Sequence, residues 1–571
     1  MLTYVAVELI NEQRHPDQQF DALYILQATS RNVDLLVADF ARRPLYASAH
    51  VFFVNPLDDR LFKILTNSPA SRYMKNLIEL FLDFFPLESQ LYSFRNSHSF
   101  LMLYNPECRS LREREVKTIS SKMISLCASL GEYPVIRYHR PQLQIDGFGS
   151  EISTKVANLI QTELDEYARN NSDFPPPSSR PRSTLLILDR SIDIVAPLVH
   201  EFTYQSMAHD LIDFENGTKY KFEIEGPNGL EEKTMGLEED DTLWTEIRHM
   251  HMRETIDMLM QEFNTFIAEN TNFTDKDKAT SLNDMRDMLA SLPQFQETRD
   301  RFSLHMALAQ ECMKIFEQRK LPLIGLVEQN CAVRWTSDGR LPKTVLEEMV
   351  PLLADPALSV SDRQRLLLLY IIFKDGLLEE DLKKLVMHAG LSSREAVVFK
   401  NLDLLGLKAT TDLKAHKNWS KVARRRKIPE TDEDAYEISR YVPALQYILE
   451  SLQNGTLSKE NFPFTKDEPV DATIKSQGSL RRARPNWAKQ RPAVRDDRQR
   501  VIVYIIGGAT YSEARVAYQL SESQNVEVIL GSSDFITPER FVKNLTRARD
   551  PKDRLEMAST NFMPNSKSNM F

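Results

Sequence analysis

The sequence predicts an α/β plus mostly α protein, in which an α/β fold is interrupted by a helical insertion. Runs of β-branched and aromatic residues alternate with helical stretches near both ends of the chain, the pattern of sheets with crossover helices. Between residues 204 and 441 the apolar residues instead follow the helical period of about 3.6 residues. The length of 571 residues suits three or four domains of roughly 100 to 200 residues each.

The first α/β domain is predicted from short strand-like runs separated by polar or helix-like segments. These runs are Tyr4–Ile10, Ala22–Ala28 and Ala49–Asn55. A second unit follows, with strand, helix, strand and helix predicted at Gln90–Phe94, Ile119–Cys127, Tyr133–Tyr138 and Glu151–Arg169. The next segment, Asn170–Ser183, is rich in proline and serine, which predicts an exposed linker.

The strand-like runs near the end of the chain need partners from a distant part of it. Val501–Ile506 is a continuous apolar run and Val526–Leu530 is one broken only by Glu527, a pattern typical of parallel strands covered on both faces. Two strands alone cannot form such a sheet. We expect Leu185–Asp189, before the helical block, to pair with them, so that one domain is built from two separated pieces.

The composition excludes several classes of protein. A net charge of -9 disfavours a direct nucleic-acid partner, and four cysteines without a C-x-x-C pair indicate a reducing compartment. The start of the chain lacks a signal-peptide pattern, and the longest apolar runs fall short of the roughly 18 to 20 residues that cross a bilayer. We expect a cytoplasmic protein. The basic runs 421–427 and 481–500 favour solvated loops, with nuclear-signal, nucleic-acid and membrane-surface roles as alternatives.

Polar residues cluster at and just after the end of the predicted strand Leu185–Asp189, where α/β proteins often carry chemistry: Asp189, Arg190, Asp193, His200 and Glu201. Their spacing matches no metalloprotease motif, and the chain has no G-x-S-x-G nucleophile elbow. The favoured interpretation is a structural network of Asp189, Arg190 and Asp193 that fixes a turn before Pro197 begins a helix.

The turn at Gly507 and Gly508 lies between a predicted strand and a predicted helix, where backbone N–H groups can hold phosphate. It lacks the lysine and hydroxyl of a P-loop and the third glycine of a dinucleotide fingerprint, so a tight turn without ligand is favoured. The alternative function is an α/β nucleotide-binding or hydrolytic enzyme that uses these glycines with Asp189 and Asp193. No cofactor is expected, and His249 and His251 are two residues apart on a helix, which prevents joint metal binding.

Pro293 separates two apolar stripes of the helical block. The stripes are Met285, Met288, Leu289 and Leu292, then Phe302, Met306, Ala309, Met313 and Phe316. A proline at this place predicts a kink or a reversal of the chain. The segment is either a plain interhelical turn or a hinged hairpin tip whose methionine-rich stripe docks a partner helix.

Long strings of the sequence resemble the SM family, the Sec and Munc type syntaxin-binding proteins of vesicle fusion, and its exocytic branch most of all. They include LLILDRSIDIVAPLVHEFTYQSMAHDL, EEDDTLWTEIRHMHM, LPQFQETRDRFSLHMALAQECM and VIVYIIGGATYSEARVAYQL. The resemblance implies a three-domain arch with α/β domain 1 at 1–81, α/β domain 2 at 82–203 and 443–560, and helical domain 3 inserted at 204–442. The polar composition of the tail at 561–571 predicts disorder.

The resemblance also implies a function without catalysis or cofactor. The protein would bind a syntaxin-type SNARE and template SNARE complex assembly in vesicle docking, fusion and exocytosis. Implied partners are the syntaxin, the assembled SNARE bundle and a vesicle SNARE helix. The protein would be a cytoplasmic monomer that reaches the plasma membrane or vesicles only through SNAREs.

Site residues are implied by position along the matched strings. Phe62, Leu77 and Glu79 would form a domain 1 pocket for a syntaxin N-terminal peptide, and an apolar slot beside a carboxylate suits a hydrophobic side chain and a cation. Pro293 and Met306 would belong to the hairpin that receives SNARE helices. Met1 falls almost at the family's second strand, so the resemblance further implies that the first strand and helix of domain 1 are missing.

Overall fold

The structure, a computed structural model, describes residues 6–141, 151–215, 217–226, 229–270, 279–290, 295–411, 436–467 and 498–550. The strands are β1 Asp17–Leu26, β2 Tyr46–Phe53, β3 Met74–Glu79, β4 Phe85–Glu88, β5 Leu91–Ser93, β6 Val135–Tyr138, β7 Thr184–Asp189, β8 Lys219–Gly226, β9 Gly229–Gly236, β10 Gln499–Ile506 and β11 Val526–Ser532.

The helices are α1 Ser30–Ala41, α2 Asp59–Thr66, α3 Ser99–Tyr104, α4 Arg109–Leu130, α5 Ile152–Asn170, α6 Tyr204–Leu211, α7 Thr242–Ile247, α8 Met252–Asn270, α9 Leu282–Ala290, α10 Gln296–Gln318, α11 Leu321–Val333, α12 Val345–Leu353, α13 Val360–Lys374, α14 Glu379–His388, α15 Val397–Lys400, α16 Ala444–Gln453, α17 Tyr511–Ser523 and α18 Pro538–Arg547. None of these helices is both long and apolar enough to cross a membrane, a finding limited to the described residues. The basic run 421–427, nearly all of 481–500 and the tail 561–571 lie outside those residues.

The first domain is a parallel sheet in the order β1-β2-β3. Strands were predicted at 22–28 and 49–55, and both are confirmed. The strand predicted at Tyr4–Ile10 is wrong in its described part, because residues 6–10 have no strand structure and β1 pairs with β2 alone among the described strands. A β-branched run forms a strand only where a neighbour can accept its hydrogen bonds.

The core of the first domain lies on one face of its sheet. Tyr24 and Val51 are register partners and are buried there with residues of α1 and α2. On the opposite face Leu23 and Ile25 of β1 are 63% and 62% exposed. The first domain therefore keeps a small core of its own, separate from the rest of the chain.

The second sheet confirms that one domain is built from two separated pieces. Its order is β4-β5-β11-β10-β7-β6, and β10 pairs in parallel with both β7 and β11. Every residue of β7 is buried. Helices α4 and α5 cover one face of the sheet, and α16 and α17 cover the other. We call this six-stranded unit, with its covering helices, the sheet domain.

The described part of the insertion is helical, as predicted, except for a β-hairpin of β8 and β9. A signal for this hairpin is present in the sequence, since Tyr220, Phe222 and Ile224 alternate with charged residues before the string GPNG, whose residue types favour turns. The apolar run at 366–373 lies in α13, where a capping box between Ser359 and Asp362 fixes the start of the helix.

Candidate functional site

The predicted turn network after β7 is a set of buried polar contacts. Asp189 accepts hydrogen bonds from the Tyr104 hydroxyl at 2.8 Å and from the Ser191 backbone N–H at 2.9 Å. The partner of Arg190 is Glu513 rather than an aspartate, and the guanidinium also donates to the Gly508 carbonyl at 3.1 Å. Arg190 thus ties the end of β7 to the turn after β10.

Asp193 lies where the chain leaves the sheet domain for the insertion, and it contacts the segment by which the chain returns. Its carboxylate accepts from the backbone N–H groups of Val195 and Ala196. It also accepts from the Tyr441 hydroxyl at 2.6 Å and from the Ala444 N–H at 2.7 Å. The prediction that Pro197 begins a helix is wrong, because Pro197 lies in a turn. The Asp193 contacts hold Val195 and Ala196, the two residues before Pro197.

The glycine turn after β10 is packed against protein atoms. A Cβ at Gly507 would lie 3.0 Å from both Arg190 and Tyr104, and one at Gly508 would lie 2.6 Å from Ile536. The close backbone approach that these glycines permit is therefore an approach to side chains of the same chain. The geometry accounts for both glycines without a phosphate.

A cavity of about 1020 Å³ opens at the end of the sheet where this glycine turn lies. Residues from several elements line it, among them Phe85, Glu88, Lys219, Trp244 and Arg540. The four residues of the enzymatic alternative, Asp189, Asp193, Gly507 and Gly508, are not part of its lining. The structure therefore does not bring that set to this cavity.

A buried charge cluster, which we call the His200 cluster, joins the segment after β7 to two helices of the insertion. His200 Nδ1 lies 2.9 Å from Glu328 Oε2 on α11, and Nε2 lies 3.5 Å from Asp362 Oδ1 on α13. Beside it, Arg365 forms two 2.9 Å hydrogen bonds with Asp210. His200 was a candidate from the sequence, but none of its partners was, because they are 128 or more residues away.

The charge state of His200 follows from its neighbours. Burial and the nearby Arg365 charge would lower its pKa, but the carboxylates of Glu328 and Asp362 outweigh them and raise that pKa to about 9. In turn, the histidinium lowers the pKa of Asp362 below its ordinary value, against the effect of burial. The cluster therefore contains a histidinium at neutral pH, held between two carboxylates.

Within the described residues, no three His, Cys, Asp or Glu side chains are placed to hold a metal ion. His249 packs on the ring of Tyr518 at 4.8 Å, and His251 stacks on Tyr436 at 3.7 Å. The two histidines thus have separate aromatic neighbours.

The three residues expected to receive a peptide lie on α2 and β3 of the first domain. Phe62 is 47% exposed, Glu79 is exposed, and Leu77 is half-buried against the core of that domain. Glu79 Oε1 accepts the backbone N–H of Leu57 at 2.8 Å, in the loop that leads into α2. This contact places the Glu79 carboxylate beside the segment that carries Phe62.

Met306 lies in α10, on the second apolar stripe, and is 5% exposed. Phe302 of the same stripe packs on Phe263 with ring centroids 5.5 Å apart. In this conformation Phe302, Met306 and Ala309 of the stripe are buried, whereas Met313 and Phe316 are half-buried. Pro293, expected at the hairpin tip, lies outside the described residues, between the end of α9 and the start of α10.

The fold and its matches identify the class of protein. The chain belongs to the Sec1 family, whose model matches residues 2–544, so the resemblance to SM proteins is confirmed. It is 38% identical over 556 residues to "Protein transport protein sec1" of Schizosaccharomyces pombe, which covers 96% of this chain and 79% of that protein. It is 30% identical over 593 residues to "SNARE-interacting protein KEULE" of Arabidopsis thaliana, with 94% and 87% covered.

A solved structure shows the same fold. The Unc18–syntaxin 1 complex from Monosiga brevicollis matches with a TM-score of 0.78 and 26% identity, over 95% of this chain and 90% of that one. The predicted fold class, two parallel-sheet α/β domains with an inserted helical domain, is therefore confirmed.

Proposed function

We propose that this protein binds a syntaxin-type SNARE and templates SNARE complex assembly in vesicle docking, fusion and exocytosis. The observation that carries the proposal is membership of the Sec1 family together with the match to a protein solved in complex with syntaxin 1. A relative named as SNARE-interacting supports it. The protein acts without catalysis or cofactor, as a cytoplasmic monomer that meets plasma-membrane or vesicle surfaces through its SNARE partners.

The first part of the proposed mechanism is peptide capture on domain 1. Phe62 offers an exposed aromatic ring, and Glu79 offers an exposed carboxylate beside the loop that precedes α2. A short N-terminal peptide with one hydrophobic side chain and one cation complements this pair. Leu77, half-buried on β3, would form the floor of the proposed peptide pocket.

The second part is alignment of SNARE helices on domain 3. We define the template hairpin as α9 and α10 with the residues between them, which include Pro293. The vesicle SNARE helix and the syntaxin helix would meet on this hairpin. In the described conformation Met306 lies in the core, so it stabilises the hairpin by packing. Direct contact between Met306 and a SNARE helix would require α10 to rearrange.

Calorimetric titration with the cytoplasmic part of a syntaxin-type SNARE tests the proposal. We expect binding by the full chain, and weaker binding when the syntaxin lacks its N-terminal peptide. Phe62→Ala should weaken binding of the isolated peptide, whereas Phe20→Ala, at a phenylalanine 55% exposed on β1, should not. Failure to bind any syntaxin-type SNARE, with or without the peptide, would overturn the proposed function.

A further inference from the structure

The cavity of about 1020 Å³ lies between the sheet domain and the insertion, and we call it the interdomain cavity. On the sheet side it is lined by residues that follow two neighbouring parallel strands, Arg95 after β5 and Asp534 and Arg540 after β11. On the other side it is lined by Gln205 of α6 and Lys219 of β8. Ligand sites occur preferentially at such domain interfaces.

The strand order of the sheet is broken at this cavity. Strands β5 and β11 are hydrogen-bonded neighbours, although β6, β7 and β10 lie between them in the chain. In open α/β sheets, ligands bind in the crevice outside the carboxyl ends of the strands, at a break in strand order. The interdomain cavity occupies that position.

A buried amide in the cavity wall lacks a hydrogen-bond donor. Gln205 is 2% exposed, and its Nε2 donates to Glu88 Oε1 at 2.5 Å. The Glu88 carboxylate also accepts from the Tyr518 hydroxyl at 3.0 Å, so the amide nitrogen of Gln205 has to face it. Gln205 Oε1 is then left without a donor among the described residues. Because buried acceptors are normally paired, this oxygen favours a ligand that brings an N–H group.

Most of the carboxylates that line the cavity already have a cationic partner. Arg248 pairs with both Glu88 and Glu239, at 3.1 and 3.2 Å. Arg540 pairs with Asp534 at 2.8 Å. These three carboxylates therefore do not require a cation from a ligand.

Two cations of the lining have no carboxylate partner. Lys219 is half-buried and Arg95 is exposed, and neither forms an ion pair with any described residue. The Arg95 guanidinium instead lies over the Phe85 ring, 4.2 Å from its centroid. Among the described lining residues, only the exposed carboxylate of Glu238 is left to balance these two cations. The unpaired charge is positive on balance, which favours a ligand with carboxylates.

The size and composition of the lining indicate the class of ligand. The carboxylates of Glu88, Glu238 and Glu239 would repel a compact polyanion such as a nucleotide triphosphate. The volume lies at the upper end of the roughly 300 to 1,000 Å³ that is typical of small-molecule pockets. A peptide segment combines backbone N–H groups, carboxylates and apolar side chains, and the lining offers a partner for each.

We propose that the interdomain cavity binds an extended, acidic peptide segment of a protein partner. A backbone N–H of the peptide donates to Gln205 Oε1, and its carboxylates pair with Lys219 and Arg95. An apolar side chain of the peptide packs on Phe85, which is 39% exposed. No lining residue belongs to the domain 1 pocket around Phe62 or to α9 and α10, so this site is separate from the proposed SNARE sites.

Selection from a phage-displayed library of random peptides on the full chain tests the proposal. Peptides that bind the wild type are counter-selected on Thr218→Trp, whose ring would fill part of the cavity from an exposed lining position. We expect the surviving peptides to be enriched in aspartate and glutamate. Ser393→Trp, at an exposed serine outside the lining, should bind them as the wild type does. Finding no survivors, or survivors without acidic enrichment, would overturn the proposal.

Fluorescence polarisation of the selected peptides tests the assigned contact. Lys219→Gln should weaken binding about tenfold, because it removes a half-buried cation that pairs with a peptide carboxylate. Lys221→Gln is the matched control on the same strand, at an exposed lysine that pairs with Glu232, and should leave binding unchanged. An effect of Lys219→Gln no larger than that of Lys221→Gln would show that the peptides bind elsewhere and would overturn the site.

Discussion

Arg190 and Glu513 form a two-point ion pair that joins the two separated pieces of the sheet domain. The nitrogen–oxygen distances are 2.9 and 2.7 Å, and both side chains are at most 2% exposed. Glu513 also accepts the N–H of Thr510 and completes the capping box of α17. The Glu513 carboxylate therefore forms an ion pair with the buried Arg190 and also fixes the start of α17.

Glu513→Gln should destabilise the protein strongly. The substitution leaves a buried guanidinium without its paired carboxylate, which costs about 3–5 kcal/mol. Urea unfolding followed by circular dichroism measures the loss. Glu522→Gln, the same change at an exposed position of the same helix, should alter stability by less than about 0.5 kcal/mol. Equal effects of the two substitutions would contradict the assigned role of the ion pair.

The His200 cluster should make stability fall as the pH rises above neutrality. The folded state holds a proton on His200 up to about pH 9, whereas the unfolded chain releases it near the ordinary value of 6.5. The stabilisation is thus complete below pH 6.5 and is lost as the pH passes 9. It amounts to about 3–4 kcal/mol, because the folded and unfolded pKa values differ by about 2.5 at 1.4 kcal/mol per pH unit.

Unfolding free energies measured from pH 6.5 to 8 test this slope, because the buried thiols of Cys127, Cys312 and Cys331, whose pKa values burial raises, add a slope of the same sign at higher pH. His200→Gln should abolish it and also lower stability at pH 6.5, because two buried carboxylates lose their counter-charge. His15→Gln, at an exposed histidine, should keep it. The buried His209 and His249, whose pKa values burial lowers to about 3, change stability only on the acid side of 6.5. A slope that persists in His200→Gln would refute the assignment.

Gly508→Ala should destabilise the sheet domain because of packing. The residue has a φ of +106°, and an added Cβ would lie 2.6 Å from Ile536. Gly217, with a φ of +83° and no atom within 4 Å of an added Cβ, is the matched control for backbone strain alone. We expect roughly 1 kcal/mol for Gly217→Ala and a clearly larger loss for Gly508→Ala, measured by thermal unfolding.

The same experiment addresses the enzymatic alternative. Nucleotides and phosphate esters should not raise the melting temperature of the wild-type protein, because side chains occupy the space beside both glycines. A clear, concentration-dependent rise in melting temperature would revive that alternative.

Met306→Ala should act as a core truncation. Met306 is 5% exposed, so the loss should be about 2–5 kcal/mol of unfolding free energy. Met387→Ala, on α14 at 76% exposure, is the same change at the surface and should be nearly neutral. If Met306→Ala left stability intact but impaired SNARE binding, the stripe would be an exposed docking surface in solution.

The fold could be predicted from the sequence to a greater extent than the candidate site. Nearly continuous apolar runs at β7, β10 and β11, broken in β11 by Glu527, identified parallel strands, because strands covered on both faces are apolar along most of their length. The alternation of aromatic or aliphatic with charged residues in β8 is an equally good strand signal. It was overlooked because the sequence around it has the helical period. The network partner of Arg190 was missed, because Glu513 is 323 residues away and pairing at that distance leaves no local pattern.

The sequence by itself determined the division into α/β and helical parts, the split sheet and the family, since these depend on periodicity and on matched strings. Only the tertiary structure decided that the Met306 stripe faces its own core, that Glu513 rather than an aspartate neutralises Arg190, and that His305 connects α10 to α6. The physical reason is that periodicity shows which face of an element is apolar or polar, whereas the partner of that face is chosen by packing between segments far apart in the chain.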